Sequence, residues 1–121
     1  MAVTVTTNAV AAGSRAAFSS NATSEDFSST EIAVAAVTGK THYVQQVIIS
    51  NGGTARTVTI GAGETTNEVT TVLLGPVSCA ANSTQTFKFA VPISAGSATD
   101  VTVDASGASA GSCVHIQGYT E

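Results

Sequence analysis

The five residues Gly107-Ala108-Ser109-Ala110-Gly111 match the nucleophile elbow of serine hydrolases, a pattern that would make Ser109 a nucleophile for acyl transfer. Such an elbow needs a strand before the serine, a helix after it, and an Asp and a His supplied by later elements of a parallel sheet. Here the chain ends soon afterwards in a pattern typical of a strand, and His115 follows the serine too closely to be a distant base. We therefore expect a loop at this position and a protein that is not an enzyme.

A second fragment, Gly39-Lys40-Thr41, matches the end of a phosphate-binding loop. The first glycine of that motif would fall at Val34, and the following residues read as a strand rather than as a helix whose N-terminus could hold an anion. We expect a β-turn here and no nucleotide cofactor.

Metal ligation has little support in the sequence. His42 and His115 have no nearby ligands at a spacing typical of a metal site. Asp100 and Asp104 share one face of a predicted strand and could hold a cation weakly, but a solvated strand edge explains them better. We expect no metal and no cofactor.

The two cysteines, Cys79 and Cys113, allow two interpretations. They are either two small apolar residues or the partners of a disulfide, which would stabilise the fold by roughly 3 to 4 kcal/mol in the chain-entropy model. Synthesis in a reducing cytoplasm argues against the bond. A sheet in which the strand ending near Leu74 lies antiparallel to the last strand would bring the two residues together, so both alternatives stay open.

Composition limits the partners that the protein can have. The chain has 121 residues, of which 43% are hydrophobic and only 10% charged, and its formal net charge is −4. Its four cations, Arg15, Lys40, Arg56 and Lys88, are scattered, so no basic stripe exists for a phosphate backbone and we expect no nucleic-acid binding. The N-terminus lacks the pattern of a signal peptide, and no apolar run reaches membrane-spanning length, so we expect cytoplasmic synthesis and no membrane partner.

From Glu31 onward, short Val/Ile/Thr runs alternate with Gly, Asn and Ser clusters, which is typical of β-strands separated by turns. Asn51-Gly52-Gly53 is the strongest hairpin signal, because Asn and Gly tolerate the positive φ of a type I′ turn. Phe87 and Phe89 alternate with polar residues and are the predicted core anchors. The predicted strands are Glu31–Thr38, Tyr43–Ser50, Thr54–Ile60, Val69–Leu74, Gln85–Val91, Asp100–Asp104 and Cys113–Tyr119.

Residues 1–30 are predicted to form an extended N-terminal arm, and residues 31–121 a single sandwich domain. The segment from Asn8 to Thr30 has no sustained hydrophobic period, although Ala2 to Thr7 alternates and could add an edge strand. Exposed phenylalanines are a liability in a free tail, so Phe18 and Phe27 are predicted to anchor the arm on a neighbouring subunit.

About eight short strands with loops too brief for crossover helices predict an all-β protein, an antiparallel β-sandwich. Jelly roll is the preferred topology, with Val101 and Val103 pointing inward from one strand and Val114 and Ile116 from the last.

Five stretches of the sandwich resemble a family of small viral proteins: Val72 to Val77, Ala81 to Thr84, Phe87 to Phe89, Val91 to Ile93 and Val114 to Tyr119. In the style of their strands and turns they are similar to the jelly-roll decoration, or cement, proteins of tailed bacteriophages. The resemblance implies a homotrimer on the outer surface of the virion capsid that clamps neighbouring major capsid proteins. It transfers no binding residue position by position, because no motif aligns.

A module from another functional class is the alternative: a receptor- or carbohydrate-binding jelly roll of a phage fibre or tail. Sugar recognition relies on aromatic platforms, and the chain has no Trp and only Tyr43 and Tyr119 as tyrosines, which counts against it.

Overall fold

The computed structural model describes residues 2–9, 15–23, 30–65 and 68–121. These ranges contain β-strands, turns and loops but no helix, so the all-β prediction is confirmed. The strands are β1 Ala2–Ala9, β2 Ala16–Thr23, β3 Glu31–Val34, β4 Thr41–Ser50, β5 Arg56–Thr65, β6 Glu68–Cys79, β7 Thr84–Ser97, β8 Val101–Ala105 and β9 Cys113–Thr120.

The strands form two antiparallel sheets of a sandwich. The five-stranded sheet has the order β1-β2-β9-β4-β7, and the four-stranded sheet has the order β3-β8-β5-β6. From β2 to β9, each strand crosses to the other sheet from the one before it, except at the β5–β6 hairpin. This order is that of an eight-stranded jelly roll, with β1 added at the edge beyond β2. The predicted jelly roll and the predicted edge strand at the N-terminus are both confirmed.

The core lies between the central strands of the two sheets. Along β4, β5, β8 and β9, alternate residues point inward, as the period of two requires, and the buried ones are mostly β-branched. Burying each such side chain contributes roughly 1.5–3 kcal/mol relative to leaving it in water. The inward-facing pairs, all at most 1% exposed, are Val47 and Ile49, Val58 and Ile60, Val101 and Val103, and Val114 and Ile116.

The predicted arm is wrong for residues 16–23, which form β2. This strand pairs with β1 on one side and with β9 on the other, over its whole length. Phe18, Ser20 and Ala22 point into the sandwich and are buried. The sequence pattern missed the strand because two of its three inward positions are small or polar, so the hydrophobic alternation is weak.

Gly118 allows Phe18 to lie across the neighbouring strand. The two residues are cross-strand partners, and a Cβ at position 118 would lie 2.9 Å from Cζ of Phe18 and would collide with the backbone oxygen of Tyr43. Any side chain here would therefore push β4 and the Phe18 ring apart.

The predicted hairpin at Asn51-Gly52-Gly53 is also wrong. β4 and β5 belong to different sheets, and neither glycine has a positive φ. Gly52 instead permits a close approach, because a Cβ there would collide with the carbonyl oxygen of Ala110. The Asn-Gly pair thus lies where the chain crosses from one sheet to the other, and it does not form a type I′ turn.

Asn51 is the centre of a buried hydrogen-bond network at this end of the sandwich, and it is 6% exposed. Its Nδ2 donates to the carbonyl oxygens of Thr54 at 2.9 Å, Cys79 at 3.3 Å and Ala80 at 3.0 Å. Its Oδ1 accepts from Nε of Arg56 at 3.0 Å. One side chain therefore joins the end of β4 in one sheet to the start of β5 and the end of β6 in the other.

Further contacts extend the network to the connection between β8 and β9. Arg56 donates from Nη1 to the carbonyl oxygen of Gly107 at 2.9 Å. Ser112 accepts from the backbone N–H of Gly52 at 3.0 Å and donates to the carbonyl oxygen of Ser109 at 2.8 Å. The long loops at this end are thus fixed by side chains where regular strand pairing stops.

The two lateral sides of the sandwich are closed differently. Between β2 and β3, the Ser20 hydroxyl donates to the carbonyl oxygen of Ala33 at 2.6 Å, so small residues hold the sheets together. Between β6 and β7, large apolar side chains fill the gap but remain only partly buried. Phe87 and Phe89, predicted as the core anchors, belong to this partly buried group, which is completed by Leu73, Leu74 and Val77.

Replacing Asn51 tests the network. We expect Asn51→Ala to lower the free energy of unfolding by about 2–4 kcal/mol, because it removes three hydrogen bonds to backbone carbonyls and the one that Arg56 Nε donates to Asn51. Urea denaturation followed by circular dichroism measures the change. Ser50→Ala is the matched control, since its hydroxyl meets only Thr84 in an exposed pair. Equal effects of the two substitutions would show that the network contributes little.

Candidate functional site

An aromatic stack lies on the outer face of the five-stranded sheet. Tyr43 and Tyr119 are direct cross-strand partners of β4 and β9, with ring centroids 4.9 Å apart and planes 19° from parallel. The Arg15 guanidinium carbon lies 4.0 Å from the centroid of Tyr119, and its Nη2 is 3.3 Å from Oε2 of Glu121. Because β2 and β4 flank β9, Arg15 and Tyr43 cover opposite faces of the Tyr119 ring.

This stack contains both tyrosines of the sequence. The rings face one another along the sheet, so their edges, rather than their faces, point to solvent. Only the Tyr43 face that points toward β7 is left for a flat ligand such as a sugar ring. The sequence contains both tyrosines and Arg15, but nothing in their spacing indicates that they meet.

Two polar pairs continue this outer face along β2 and β9. Oγ of Ser19 lies 3.1 Å from Nε2 of His115, and the Cys113 thiol donates to Oδ1 of Asn21 at 2.7 Å. Both pairs bridge neighbouring strands, so they add side-chain links to the backbone ladder. Together with the aromatic stack, these pairs make the outer face of the five-stranded sheet a hydrogen-bonded polar surface.

The cysteines are both free thiols. Cys79 ends β6, which pairs with β5, whereas Cys113 begins β9, which lies between β2 and β4 in the other sheet. The predicted pairing of the strand near Leu74 with the last strand is therefore wrong, and the disulfide alternative has no support. Burial raises the pKa of both thiols, which disfavours the reactive thiolate.

Ser109 has a structural role in the loops. It is 1% exposed, and its Oγ accepts from the backbone N–H of Thr54 at 3.1 Å. The surrounding residues from 106 to 112 form a loop, as predicted. The β-turn predicted at Gly39-Lys40-Thr41 is also confirmed. The backbone N–H of Lys40 donates to the carbonyl oxygen of Val37, and Gly39 has a φ of 76°.

His42 is a structural histidine and is 3% exposed. Its Nε2 lies 2.7 Å from the carbonyl oxygen of Ala35, which can only accept, so this nitrogen carries the proton. Its Nδ1 lies 2.7 Å from the Thr120 hydroxyl, and its ring packs edge-on against Phe18 at 5.5 Å. The side chain links the β3–β4 connection to β9.

Phe18 does not reach a partner in this fold, because it is 4% exposed and packs in the chain's own core. Phe27, the other predicted anchor, lies outside the described residues. Of the two aspartates considered for a cation, Asp100 instead accepts from the backbone N–H of Ala36. Within the described ranges, no three His, Cys, Asp or Glu side chains lie close enough together to hold a metal ion.

Comparison with models of protein families, with curated proteins and with solved structures finds no match. Nothing in the described part of the chain forms a helix of the length and hydrophobicity that crossing a membrane would require. Any functional assignment therefore rests on the chain's own residues and on the surfaces described above.

Asp104 provides a test of pH dependence. Burial raises the pKa of its carboxyl, the Ala105 N–H lowers it, and the nearby charge of Glu68 raises it again. The folded state thus binds this proton more tightly than the unfolded chain. The resulting stabilisation is complete below the unfolded-state pKa and is lost as the pH rises through the folded-state pKa.

We therefore expect Asp104→Asn to stabilise the protein at pH 7, by at most about 1 kcal/mol because the carboxyl is only partly buried, and to have little effect at pH 3. Urea denaturation at the two pH values measures this difference. The same change in stability at both values would contradict the assignment.

The free thiols give a chemical test. Alkylation of the unreduced protein in denaturant should modify Cys79 and Cys113 in every chain, as counted by mass spectrometry. Without denaturant we expect much slower alkylation, because both thiols are shielded and protonated. A chain that resists alkylation until a reductant is added would indicate a disulfide.

Proposed function

We propose that the protein is a structural component of a virion: a capsid decoration, or cement, protein that sits as a homotrimer on the outer head surface of a tailed bacteriophage and clamps neighbouring major capsid proteins. The observation that carries this proposal is β1, a whole strand attached to the jelly roll through β2 alone. The resemblance of the sandwich sequence to such proteins agrees with it.

β1 gives the protein a means of attachment. It pairs with β2 along its full length, and in the described part of the chain no strand lies on its other edge. One row of backbone N–H and C=O groups is therefore available for a strand of another protein, as in β-augmentation. A protein that holds capsid subunits together can use such a strand without any catalytic group.

The surface chemistry also supports an assembly role. Only 10% of residues are charged, and polar hydroxyl and amide side chains cover much of the outside. Repulsion between many closely placed copies is therefore small. The dense core and the Asn51 network provide a rigid body, and several weak contacts made by one trimer would add up through multivalency.

Removing β1 tests the proposal. Deletion of residues 2–9 should leave the jelly roll folded, because β2 retains its pairing with β9, while occupancy on phage heads falls at least about tenfold. Occupancy is measured by electron cryo-microscopy of heads stripped of the protein and then incubated with either form. Deleting residues 1–30 is unsuitable, since it removes β2 and Phe18 from the core.

The control is Ser50→Ala, which leaves β1 intact and should bind heads like the unaltered protein. Unchanged occupancy after the deletion would refute the role of β1. Density for the protein on a tail or fibre, with none on the head, would refute the decoration role itself.

The carbohydrate- or receptor-binding alternative finds one favourable observation, the meeting of Tyr43 and Tyr119 on the outer face. A glycan array probed with the isolated protein and with Tyr43→Ala distinguishes the two functions. Binding that depends on Tyr43 would favour the alternative, and we expect none because most ring faces are already covered.

A further inference from the structure

Asn51-Gly52 is the one Asn-Gly pair in the sequence, and in an unfolded chain such a pair is chemically labile. The backbone nitrogen of the glycine attacks the amide carbon of the asparagine side chain, and no Cβ obstructs its approach. The new C–N bond closes a succinimide ring, and the side-chain nitrogen leaves as ammonia, taking up the proton that the glycine nitrogen loses. Water then opens the ring to aspartate or isoaspartate, so water is the only reagent consumed.

The fold fixes the attacking nitrogen in place. The backbone N–H of Gly52 donates to Oγ of Ser112 at 3.0 Å, and the carbonyl oxygen of Gly52 accepts from the backbone N–H of Asn82 at 2.7 Å. The Gly52 backbone also lies so close to the carbonyl oxygen of Ala110 that a Cβ would collide with it. The peptide group between Asn51 and Gly52 therefore cannot turn toward the Asn51 side chain without breaking these contacts.

The leaving group is held as firmly as the nucleophile. Nδ2 of Asn51 donates to three carbonyl oxygens, those of Thr54, Cys79 and Ala80. Ammonia cannot leave without breaking all three hydrogen bonds. Asn51 and Ser112 are both buried, so little water reaches the reacting atoms. Deamidation at this site therefore requires local opening of the network or unfolding of the chain.

One contact of the network acts in the opposite direction. Nε of Arg56 donates to Oδ1 of Asn51 at 3.0 Å, and a cationic donor there stabilises the negative charge that this oxygen acquires during the attack. This stabilisation takes effect only once the Gly52 nitrogen reaches the amide carbon. Because the contacts of Gly52 prevent that movement in the closed fold, protection outweighs activation.

Deamidation of Asn51 would disrupt the network. An aspartate carboxylate has no N–H to donate, so its oxygens would face the three carbonyl groups to which Asn51 donates. Its attraction to Arg56 strengthens one contact but supplies none of the missing donors. Isoaspartate also adds a carbon to the main chain beside Gly52, whose backbone already lies tightly against the Ala110 carbonyl. Neither product fits this crossing between the sheets.

We propose that Asn51 is a deamidation site that the fold protects, and that its deamidation in the unfolded chain prevents refolding. The residue that joins the two sheets thus also limits how long the chain survives in the unfolded state. This protection is a property of the free protein and does not depend on the proposed virion partner.

Deamidation rates in the folded and the unfolded chain test the protection. The protein is incubated in native buffer and in guanidinium chloride at the same mildly alkaline pH, and peptide mapping by mass spectrometry follows each asparagine. In denaturant we expect Asn51 to react before Asn82, which precedes a serine, because a side chain after the asparagine hinders the attack. In native buffer we expect the reaction at Asn51 to be at least about tenfold slower than in denaturant. Equal rates at Asn51 in the two solutions, or an earlier reaction of Asn82 in denaturant, would overturn the proposal.

Ser112→Ala tests whether the network provides the protection. The substitution removes the acceptor of the Gly52 N–H, so we expect faster deamidation of Asn51 in native buffer. Ser50→Ala is the matched control and should keep the rate of the unaltered protein, because its hydroxyl meets only Thr84. Circular dichroism checks that both variants fold. Equal rates in the two folded variants would contradict the role of the network, and the measurements on the unaltered chain decide if Ser112→Ala does not fold.

Refolding tests the second half of the proposal. The protein is held in guanidinium chloride until part of the chains are deamidated, then diluted, and the folded and unfolded fractions are separated by size-exclusion chromatography and mapped. We expect the products of Asn51 to be enriched at least about tenfold in the unfolded fraction, because these chains lack three hydrogen-bond donors of the network. Chains modified only at Asn82, which is exposed, should refold like unmodified ones. Products of Asn51 in equal proportion in the two fractions would show that deamidation does not prevent refolding.

Discussion

The buried polar network around Asn51 is the constraint on which the rest of the structure depends. A jelly roll sends its chain from sheet to sheet at nearly every connection, and the backbone groups in those crossings have no ladder to pair with. Asn51 and Arg56 satisfy several of them at once and join β4, β5 and β6. Since the members of a buried network depend on one another, the alignment of the two sheets depends on this cluster.

The alignment of the sheets determines which surfaces are exposed. On one side, Ser20 reaches across to β3 and small residues bring the sheets together. On the other side, bulky residues such as Phe87 and Leu74 separate β6 from β7 and remain partly uncovered. The sandwich therefore has one closed side and one apolar side.

The serine and histidine whose types suggest catalysis have structural roles here. Ser109 accepts from a loop N–H, His42 bridges Ala35 and Thr120, and both are almost fully buried. A small sandwich with few charges must satisfy its buried backbone groups with whatever polar side chains are near. The same residue types that a motif search selects are thus the ones the loops require.

Sequence alone determined the fold class, most of the strands and the inward faces of β8 and β9, because a period of two shows directly which residues avoid water. It missed β2, whose inward positions include Ser20 and Ala22, and it mistook Asn51-Gly52 for a hairpin. Tertiary structure alone decided the sheet partners and their register. Those depend on packing between residues far apart in the chain, which no local pattern records. For that reason only the folded chain stacks Tyr43 on Tyr119 and keeps Cys79 and Cys113 in different sheets.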